Sequence, residues 1–185
     1  EWDMQDRLLL ECIDYDNATC NISGKSYEMK SCCFPTVNPN APYELTPDEI
    51  ILMSKLHHSF TVNEKLHKHI RLLLSHGSLY TIINDNLLFH ASVPLNDDGS
   101  LKEVELCKGH KYKGRELMNR TEHIIRNAFQ NDSDPREKEF SVDYFLYLWC
   151  GRNSVLFDKS KMATFERSFL KDKSTYKEEK GNYFK

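Results

Sequence analysis

The sequence predicts an α+β fold that is predominantly helical and contains one β-hairpin, and two observations carry this prediction. Several long segments repeat apolar residues every three to four positions, which is the period of an amphipathic helix. Residues 79–95 instead read as strand, turn and strand, because 79–83 is rich in β-branched and aromatic residues, 84–86 has turn chemistry, and 87–89 is apolar again. The 185 residues are long enough to form a domain with a core.

Composition and charge exclude several classes of partner. The formal net charge of −3 lacks the basic excess that nucleic acids and anionic membranes attract. No apolar run approaches the ~20 residues that span a bilayer, and the first residues do not have the pattern of a signal peptide. The six cysteines include no C-x-x-C pair, so we expect reduced thiols. Together these features predict a cytoplasmic protein without nucleic-acid or membrane partners.

The first part of the chain alternates between a helical signal and irregular segments. Residues 4–13 carry a helical stripe of apolar positions. Residues 14–31 are predicted to form a loop in which 20–22 and 27–29 could pair as a short ribbon. Residues 34–43 contain three prolines and are therefore expected to be extended.

Two helices are predicted between this irregular region and the strands. The first begins after Thr46, because Thr46 and Glu49 can form a capping box and Pro47 suits the first helical position. It should end near residue 58 and bury one face, which contains Ile50, Met53, Leu56 and His57. The second should run over residues 63–77 with a buried stripe of Leu66, Ile70, Leu73 and Leu74. We expect the two to form a helical hairpin.

The remaining elements are a turn at 96–99, a short strand at 104–106 and a basic loop at 108–113, followed by three helices. The first of these helices should span 114–131 and place six residues inward: Leu117, Thr121, Ile124, Ile125, Ala128 and Phe129. Residues 142–149 are strongly apolar and predict a buried helix, with a strand as the less favoured alternative. A last short helix is expected over 161–170.

His90 is the most unusual residue of the strand pair. It ends an apolar strand and is followed by Ala91, Ser92, Val93 and Pro94. A polar ring in this position must either find a hydrogen-bonding partner within the core or reach the mouth of a site. Both interpretations remain open from the residues of this stretch alone.

An apolar strand followed by His-Ala-Ser-Val-Pro resembles the histidine motif of calcineurin-like metallophosphoesterases. Four further stretches resemble one branch of that superfamily, the class III or long bacterial fructose-1,6-bisphosphatases. They are FPTVNPNAPYELTPDE at 34–49, SFTVNEKLHKHIRLLLSHGSLY at 59–80, YLWCGRNSVLF at 147–157 and KMATFERSFLKDKSTYKEEKGNYF at 161–184. The resemblance runs from about residue 4 to the last residue.

The resemblance implies a divalent metal pair, Mn²⁺ in this branch, with His90 as one ligand. The family's Asp-x-His, Gly-Asp-x-x-Asp and Gly-Asn-His-Asp motifs do not occur in this sequence. Gly109-His110 is not its later Gly-His motif, because it lies in KGHKYKG without an apolar strand before it. We therefore expect an excerpt of an α/β metallophosphoesterase that is catalytically silent by itself. Its expected parts are a helical insert at 1–77, the strand hairpin of the phosphoesterase core at 78–106 and a helical region at 107–185.

Substrate contacts are also implied. Two phosphate dianions require Arg, Lys or backbone amides, and Arg152, Arg167 and Lys161 are the candidates. A local ion pair of Arg167 with Glu166 or Asp172 is the alternative for that residue. One departure concerns the pattern after His90, since Ala91-Ser92 replaces the Gly-Cys or Gly-Gly that is common in the superfamily.

The chain is predicted to be part of a fructose-1,6-bisphosphatase. This enzyme hydrolyses the 1-phosphate of fructose 1,6-bisphosphate to give fructose 6-phosphate in gluconeogenesis. The expected partners are a sugar phosphate and the rest of the parent chain, and a homo-oligomer is left open. The rival hypothesis is a non-catalytic helical interaction domain, for which the helix stripes and the missing motifs argue.

Overall fold

A computed structural model describes residues 8–107, 109–130, 134–157, 159, 161–179 and 183–184. The α+β prediction is confirmed, with five α-helices and nine short strands among these residues. The described chain forms two compact units, one comprising 8–72 with 163–177 and the other comprising 73–162 with 178–184. No helix in the described part is long and apolar enough to cross a membrane. The functional division at residues 77 and 106 stays a prediction.

The first unit is built on a three-stranded antiparallel meander. A 3₁₀ helix at Leu9–Cys12 leads into β1 (Ile13–Asp14), β2 (Thr19–Ile22) and β3 (Lys25–Glu28). The short ribbon considered for this region is therefore present, while the predicted stripe of 4–13 falls partly on residues outside the described ones. Its core consists of Ile13, Cys20, Met29 and Leu170.

The chain returns to this unit with α5 (Thr164–Phe169). Met29 forms an isolated antiparallel bridge with Leu170, directly after that helix. Glu166 of this helix is fully buried.

Local signals locate α1 (Pro47–Thr61) as predicted, but not its burial. The capping box forms, since the Thr46 hydroxyl accepts from the Glu49 amide and the Glu49 carboxylate accepts from the Thr46 amide at 2.8 Å. The predicted buried face is wrong, because no residue of α1 is buried and Ile50, Met53 and Leu56 are 45–52% exposed. Amphipathic spacing supplies an apolar face, but burial also requires a surface that covers it.

The following helix, α2 (Glu64–His76), shows the same difference. It has no buried residue, and Leu73 of the predicted stripe is 68% exposed. It ends before Gly77, whose amide donates to the Leu73 carbonyl at 2.8 Å. The prediction of two helices is confirmed, whereas the prediction of their buried stripes is wrong.

The second unit contains the predicted hairpin, β4 (Tyr80–Ile83) paired with β5 (Asn86–Phe89). Asn84 and Asp85 both have positive φ, +50° and +62°, which is the conformation of a tight type I′ turn that Asn and Asp tolerate. The hairpin is a separate two-stranded sheet among the described strands. Both outer edges of the hairpin are therefore unpaired with any other described strand.

The expectation of one hairpin is wrong, because the described strands form four small sheets. Besides the meander and the β4–β5 pair, β6 (Val93–Pro94) pairs with β9 (Tyr183–Phe184), and β7 (Val104–Cys107) pairs with β8 (His110–Tyr112). The last pair replaces the predicted basic loop. Its strand β8 is polar and lacks alternating hydrophobicity, and Gly109 allows the turn with φ +81°.

Two helices form most of the core of this unit. They are α3 (Gly114–Phe129) and α4 (Pro135–Cys150), and their buried residues include Leu117, Thr121, Ile124, Tyr144 and Leu148. The Thr121 and Tyr144 hydroxyls bond each other at 3.1 Å within that core. The helix predicted at 142–149 is confirmed and the strand alternative is wrong. It is buried on one side only, since Leu146 and Trp149 are 67% and 57% exposed.

A charged clamp, which consists of Glu122 and Arg126 of α3, holds the start of the hairpin. One Glu122 oxygen accepts from the Ser78 hydroxyl and from the Leu79 amide, and the other accepts from Arg126 at 2.8 Å. Arg126 also donates to the carbonyls of Leu74 and Gly77. The clamp thereby fixes where α2 ends and β4 begins.

Candidate functional site

His90 lies at the end of the hairpin, directly after β5. Its amide donates to the Leu79 carbonyl at 3.2 Å, which fixes the backbone next to the start of β4. The imidazole is exposed, so His90 is not a buried core residue in this structure. The charged clamp of Glu122 and Arg126 binds the Leu79 amide and therefore supports the strand that neighbours the histidine.

The backbone after His90 turns sharply. Ala91 has φ +63°, in the left-handed region that residues with a Cβ rarely adopt. Glycine adopts this conformation without that cost, and glycine is common at this position in the superfamily that the motif resembles. The sequence departs from the pattern at Ala91, but the backbone keeps the conformation that glycine favours.

Ser92 is fully buried, and its hydroxyl has no hydrogen-bond partner among the described residues. A buried unpaired hydroxyl costs free energy and is uncommon in folded proteins. Ser92 is not among the site residues predicted from the sequence. The signal was available, because Ser92 belongs to the His-Ala-Ser stretch that carried the family resemblance.

Arg152 lies in the turn after α4. Gly151 ends the helix, and a Cβ at this position would overlap the ring of Tyr147, so the close packing of that ring requires glycine. The Tyr147 hydroxyl donates to the Arg152 carbonyl, and the Ser154 hydroxyl donates to the Leu148 carbonyl at 2.6 Å. These bonds fix the turn backbone while the Arg152 side chain stays exposed.

The structure brings the His90 and Arg152 segments next to each other. The Ser92 amide donates to the Val155 carbonyl at 3.4 Å, which joins the chain after His90 to the turn that carries Arg152. We call residues 90–92 and 151–155 the histidine–arginine site. It combines one imidazole and one guanidinium, both exposed, on backbone segments that are fixed by hydrogen bonds to the core of the second unit.

The other two candidates lie elsewhere in the chain. Lys161 is half-buried in the irregular segment before α5 and belongs to the second unit. Arg167 lies on α5 in the first unit, where its guanidinium is 5.7 Å from the centre of the Tyr176 ring. The Arg167 carbonyl accepts from Lys30 at 2.7 Å.

The residues of the histidine–arginine site do not make a metal centre by themselves. No group of three or more His, Cys, Asp or Glu side chains that could hold a metal ion occurs within the described ranges. A single neutral imidazole is too few ligands for a catalytic cation, and a two-metal site needs several carboxylates as well. The described residues therefore do not complete such a centre.

Comparison with known proteins assigns the family. The profile of the family described as Firmicute fructose-1,6-bisphosphatase matches residues 1–185. Three similar curated proteins are each named fructose-1,6-bisphosphatase class 3. They come from Phocaeicola vulgatus (52% identical over 185 residues), Clostridium botulinum strain Okra (49% over 185) and Bacteroides fragilis strain YCH46 (48% over 184).

Each of these alignments covers 100% of this chain but 28% of the relative, so the chain spans less than a third of the relatives' length. No solved structure matches the chain. The match to the family profile includes the His90 and Arg152 segments and both compact units. The chain therefore belongs to the Firmicute fructose-1,6-bisphosphatase family.

Proposed function

We propose that this chain forms part of a cytoplasmic fructose-1,6-bisphosphatase. The reaction is hydrolysis of the 1-phosphate of fructose 1,6-bisphosphate to fructose 6-phosphate and inorganic phosphate, a step of gluconeogenesis. The observation that carries the proposal is the 47–52% identity, over the whole chain, to proteins named fructose-1,6-bisphosphatase class 3. The other 72% of such a protein would supply the parts of the active site that this chain lacks.

In the full-length enzyme His90 is proposed as one ligand of a divalent metal centre, with Mn²⁺ as the expected cation. Two bound cations would bind the phosphate, lower the pKa of a bound water and stabilise the leaving oxygen. His90 supports this role because its imidazole is exposed at the end of a strand whose backbone is fixed. The remaining ligands would come from outside the described residues, and the 185-residue chain alone is expected to be inactive.

Arg152 is proposed as a phosphate contact. A guanidinium presents several fixed N–H donors that match phosphate oxygens. Arg152 is exposed, its backbone is fixed by Tyr147, and its turn neighbours the His90 segment through the bond from Ser92 to Val155. Lys161 and Arg167 remain weaker proposals, because the Arg167 guanidinium already lies over the Tyr176 ring and Lys161 is half-buried.

A non-catalytic helical interaction domain is the rival proposal. Its support is the exposed apolar surface of α1 and α2. Whole-chain similarity to proteins named as enzymes argues against it, because an unrelated interaction domain has no reason to share that similarity. The two proposals differ in what the full-length protein does with the substrate.

The direct test is phosphate release by the full-length protein from fructose 1,6-bisphosphate with Mn²⁺. We expect turnover that yields fructose 6-phosphate, and none from the 185-residue chain alone. A full-length protein that is folded and loaded with Mn²⁺ but does not release phosphate would overturn the proposal.

His90→Ala in the full-length protein tests the metal role. Changes to residues around metal ligands typically cost 10–100-fold in affinity or activity, so loss of a ligand should cost at least about that much. Bound Mn²⁺ per folded molecule and turnover should fall together. His69→Ala, which removes an exposed histidine of α2, is the matched control and should leave both unchanged. Unchanged metal content in His90→Ala would remove His90 from the centre.

A further inference from the structure

The backbone of Leu79 is held by hydrogen bonds on both of its polar groups. Its amide donates to the Glu122 carboxylate at 2.5 Å, and its carbonyl accepts from the His90 amide at 3.2 Å. The Leu79 side chain packs against the core of the second unit. Residue 79 is therefore the link through which α3, which carries Glu122, is connected to the backbone of His90.

Arg126 in turn fixes the Glu122 carboxylate. It follows Glu122 by one turn of α3 and donates to its second oxygen at 2.8 Å. It also donates to the carbonyls of Leu74 at 3.2 Å and Gly77 at 2.9 Å, at the end of α2. The Glu122 side chain is 16% exposed. The position of the carboxylate is thus set by two helices and does not depend on the hairpin that it holds.

The chain that follows His90 has an anchor of a different kind. The Ser92 amide donates to the Val155 carbonyl at 3.4 Å, and β6, which begins at Val93, pairs with β9. These are bonds between backbone groups, whereas the anchor that precedes His90 depends on one charged side chain. A single substitution at Glu122 can therefore release one of the two anchors and leave the other in place.

We propose that Glu122 is a positioning residue of the metal site, which acts on His90 through the backbone of Leu79. A metal ligand binds well only where its donor atom meets the cation at the correct distance and angle. Loss of a group that orients a ligand typically costs about 10–100-fold in metal affinity or activity. Such groups usually bond the ligand's own ring, whereas Glu122 bonds the peptide that holds the ligand's backbone. The inference rests on the proposed function, because it takes His90 to be a metal ligand.

Titration of the full-length protein with Mn²⁺ tests the proposal, at a temperature well below unfolding so that all variants are folded. Glu122→Gln keeps the shape of the side chain but places an NH₂ group where Arg126 or Leu79 donates. We expect its affinity for Mn²⁺ to fall by about 10-fold. If Glu122→Gln does not fold, Arg126→Met, which removes the group that fixes the carboxylate, should give a loss in the same direction.

Tyr144→Phe is the matched control. It removes the buried hydroxyl bond to Thr121, lowers the stability of the same unit and leaves the charged clamp intact. Its affinity for Mn²⁺ should equal that of the wild type. Unchanged affinity in Glu122→Gln would overturn the proposal, and so would equal losses in Glu122→Gln and Tyr144→Phe, because the loss would then follow from stability alone.

His90→Ala distinguishes failure of this inference from failure of the proposed function. Unchanged affinity in His90→Ala would overturn both, whereas a loss there without one in Glu122→Gln would overturn this inference alone. In the His90→Ala background, Glu122→Gln should weaken Mn²⁺ binding no further, because the ligand that it positions is absent. Additive losses would contradict an action through His90.

Hydrogen exchange of the His90 amide gives a readout without metal or substrate. In metal-free full-length protein, Glu122→Gln should accelerate this exchange at least ~10-fold relative to Tyr144→Phe, because the Leu79 carbonyl that accepts from His90 loses its anchor. Mass spectrometry of a peptide that contains residue 90 measures the rate. Equal rates in the two variants would show that the clamp does not hold His90 and would overturn the proposal.

Discussion

Replacement of Glu122 by Gln should destabilise the second unit through the clamp at the start of the hairpin. The Glu122 carboxylate accepts three hydrogen bonds, from the Ser78 hydroxyl, from the Leu79 amide at 2.5 Å and from Arg126 at 2.8 Å. A Gln side chain has nearly the same shape but has one oxygen and an NH₂ group. Its NH₂ group would therefore face the Arg126 guanidinium, which is also a donor.

The size of the effect follows from the type of bond that is lost. Hydrogen bonds to charged groups contribute about 1.5–3 kcal/mol and neutral ones about 0.5–1.5 kcal/mol. The Glu122 side chain is 16% exposed but that of Arg126 is 38% exposed, so solvent screening reduces the charged contribution. We expect Glu122→Gln to lower the free energy of unfolding by about 1–2 kcal/mol, or the melting temperature by roughly 2–8 °C.

Thermal unfolding of the 185-residue chain at pH 7, followed by circular dichroism, measures this change. Glu139→Gln is the matched control, because Glu139 is exposed on α4 and the same change in charge should shift the midpoint little. Equal midpoints for Glu122→Gln and Glu139→Gln would refute the reasoning from the clamp.

The same substitution has a predictable dependence on pH. Burial raises the pKa of Glu122, but hydrogen bonds from Ser78, Arg126 and Leu79 together outweigh it and hold the pKa below its ordinary value of 4.5. A carboxylate whose pKa is lowered by folding stabilises the folded state at pH values above the pKa that it has in the unfolded chain. That stabilisation is lost as the pH falls through the pKa that it has in the folded state. The stability difference between the wild type and Glu122→Gln should be full at pH 7 and shrink below about pH 4.5.

Two further substitutions test the backbone of the histidine–arginine site by the same unfolding assay. Ala91→Gly should stabilise the chain by up to about 1 kcal/mol, because glycine adopts φ +63° without a Cβ clash. The control Ala128→Gly, within α3, should destabilise the chain by a similar amount. A destabilising effect of Ala91→Gly would contradict this prediction. Gly151→Ala should destabilise by about 1–3 kcal/mol, because its Cβ would overlap the Tyr147 ring. A Tyr147→Ala background should reduce that cost, and an unchanged cost there would assign it to another contact.

The elements that could be predicted from the sequence are those fixed by short-range chemistry. The capping box of Thr46 and Glu49 sets the start of α1 whatever surrounds it. The Asn84-Asp85 turn sets the register of β4 and β5 in the same way. In both cases the interacting atoms lie within a few residues of each other, so the pattern of residues contains the whole argument.

Burial could not be predicted in this way, because it depends on surfaces far apart in the chain. The spacing of α1 and α2 indicates apolar faces, but no residue of either helix is buried, and Leu73 of α2 is 68% exposed. The paired strands β7 and β8 were missed for a related reason. Strand β8 has the exposed residues His110 and Lys111, so it lacks the hydrophobic alternation that marks a half-buried strand.

The candidate site was partly accessible from the sequence. A resemblance over a few residues located His90, and a second resemblance located Arg152. The structure joins the two segments by a backbone hydrogen bond from Ser92 to Val155. Backbone bonds between distant segments leave no mark on residue types. The same reasoning grouped Arg167 with them, although the structure places it in the other compact unit.

The exposed state of α1 leads to a last prediction about its stability. Isolated helices of about 12–15 residues are marginal in water, because nucleation costs entropy and most helical stability in proteins comes from packing. Helix α1 has 15 residues, a capping box worth about 1 kcal/mol and no buried side chain. Helix α3 has 16 residues and buries Leu117, Met118, Thr121 and Ile124. The two helices therefore differ mainly in their packing.

In the 185-residue chain, amides of α1 should exchange with solvent at least ~100-fold faster than those of α3, since local opening of α1 requires no disruption of a core. Thr46→Ala should accelerate exchange in α1 further and leave α3 unchanged, because the cap acts only on the helix that it begins. Hydrogen exchange followed by mass spectrometry measures both effects. Equal protection of α1 and α3 in a monomeric sample would show that capping and helix propensity suffice without burial, and that the apolar face of α1 is not what limits its stability.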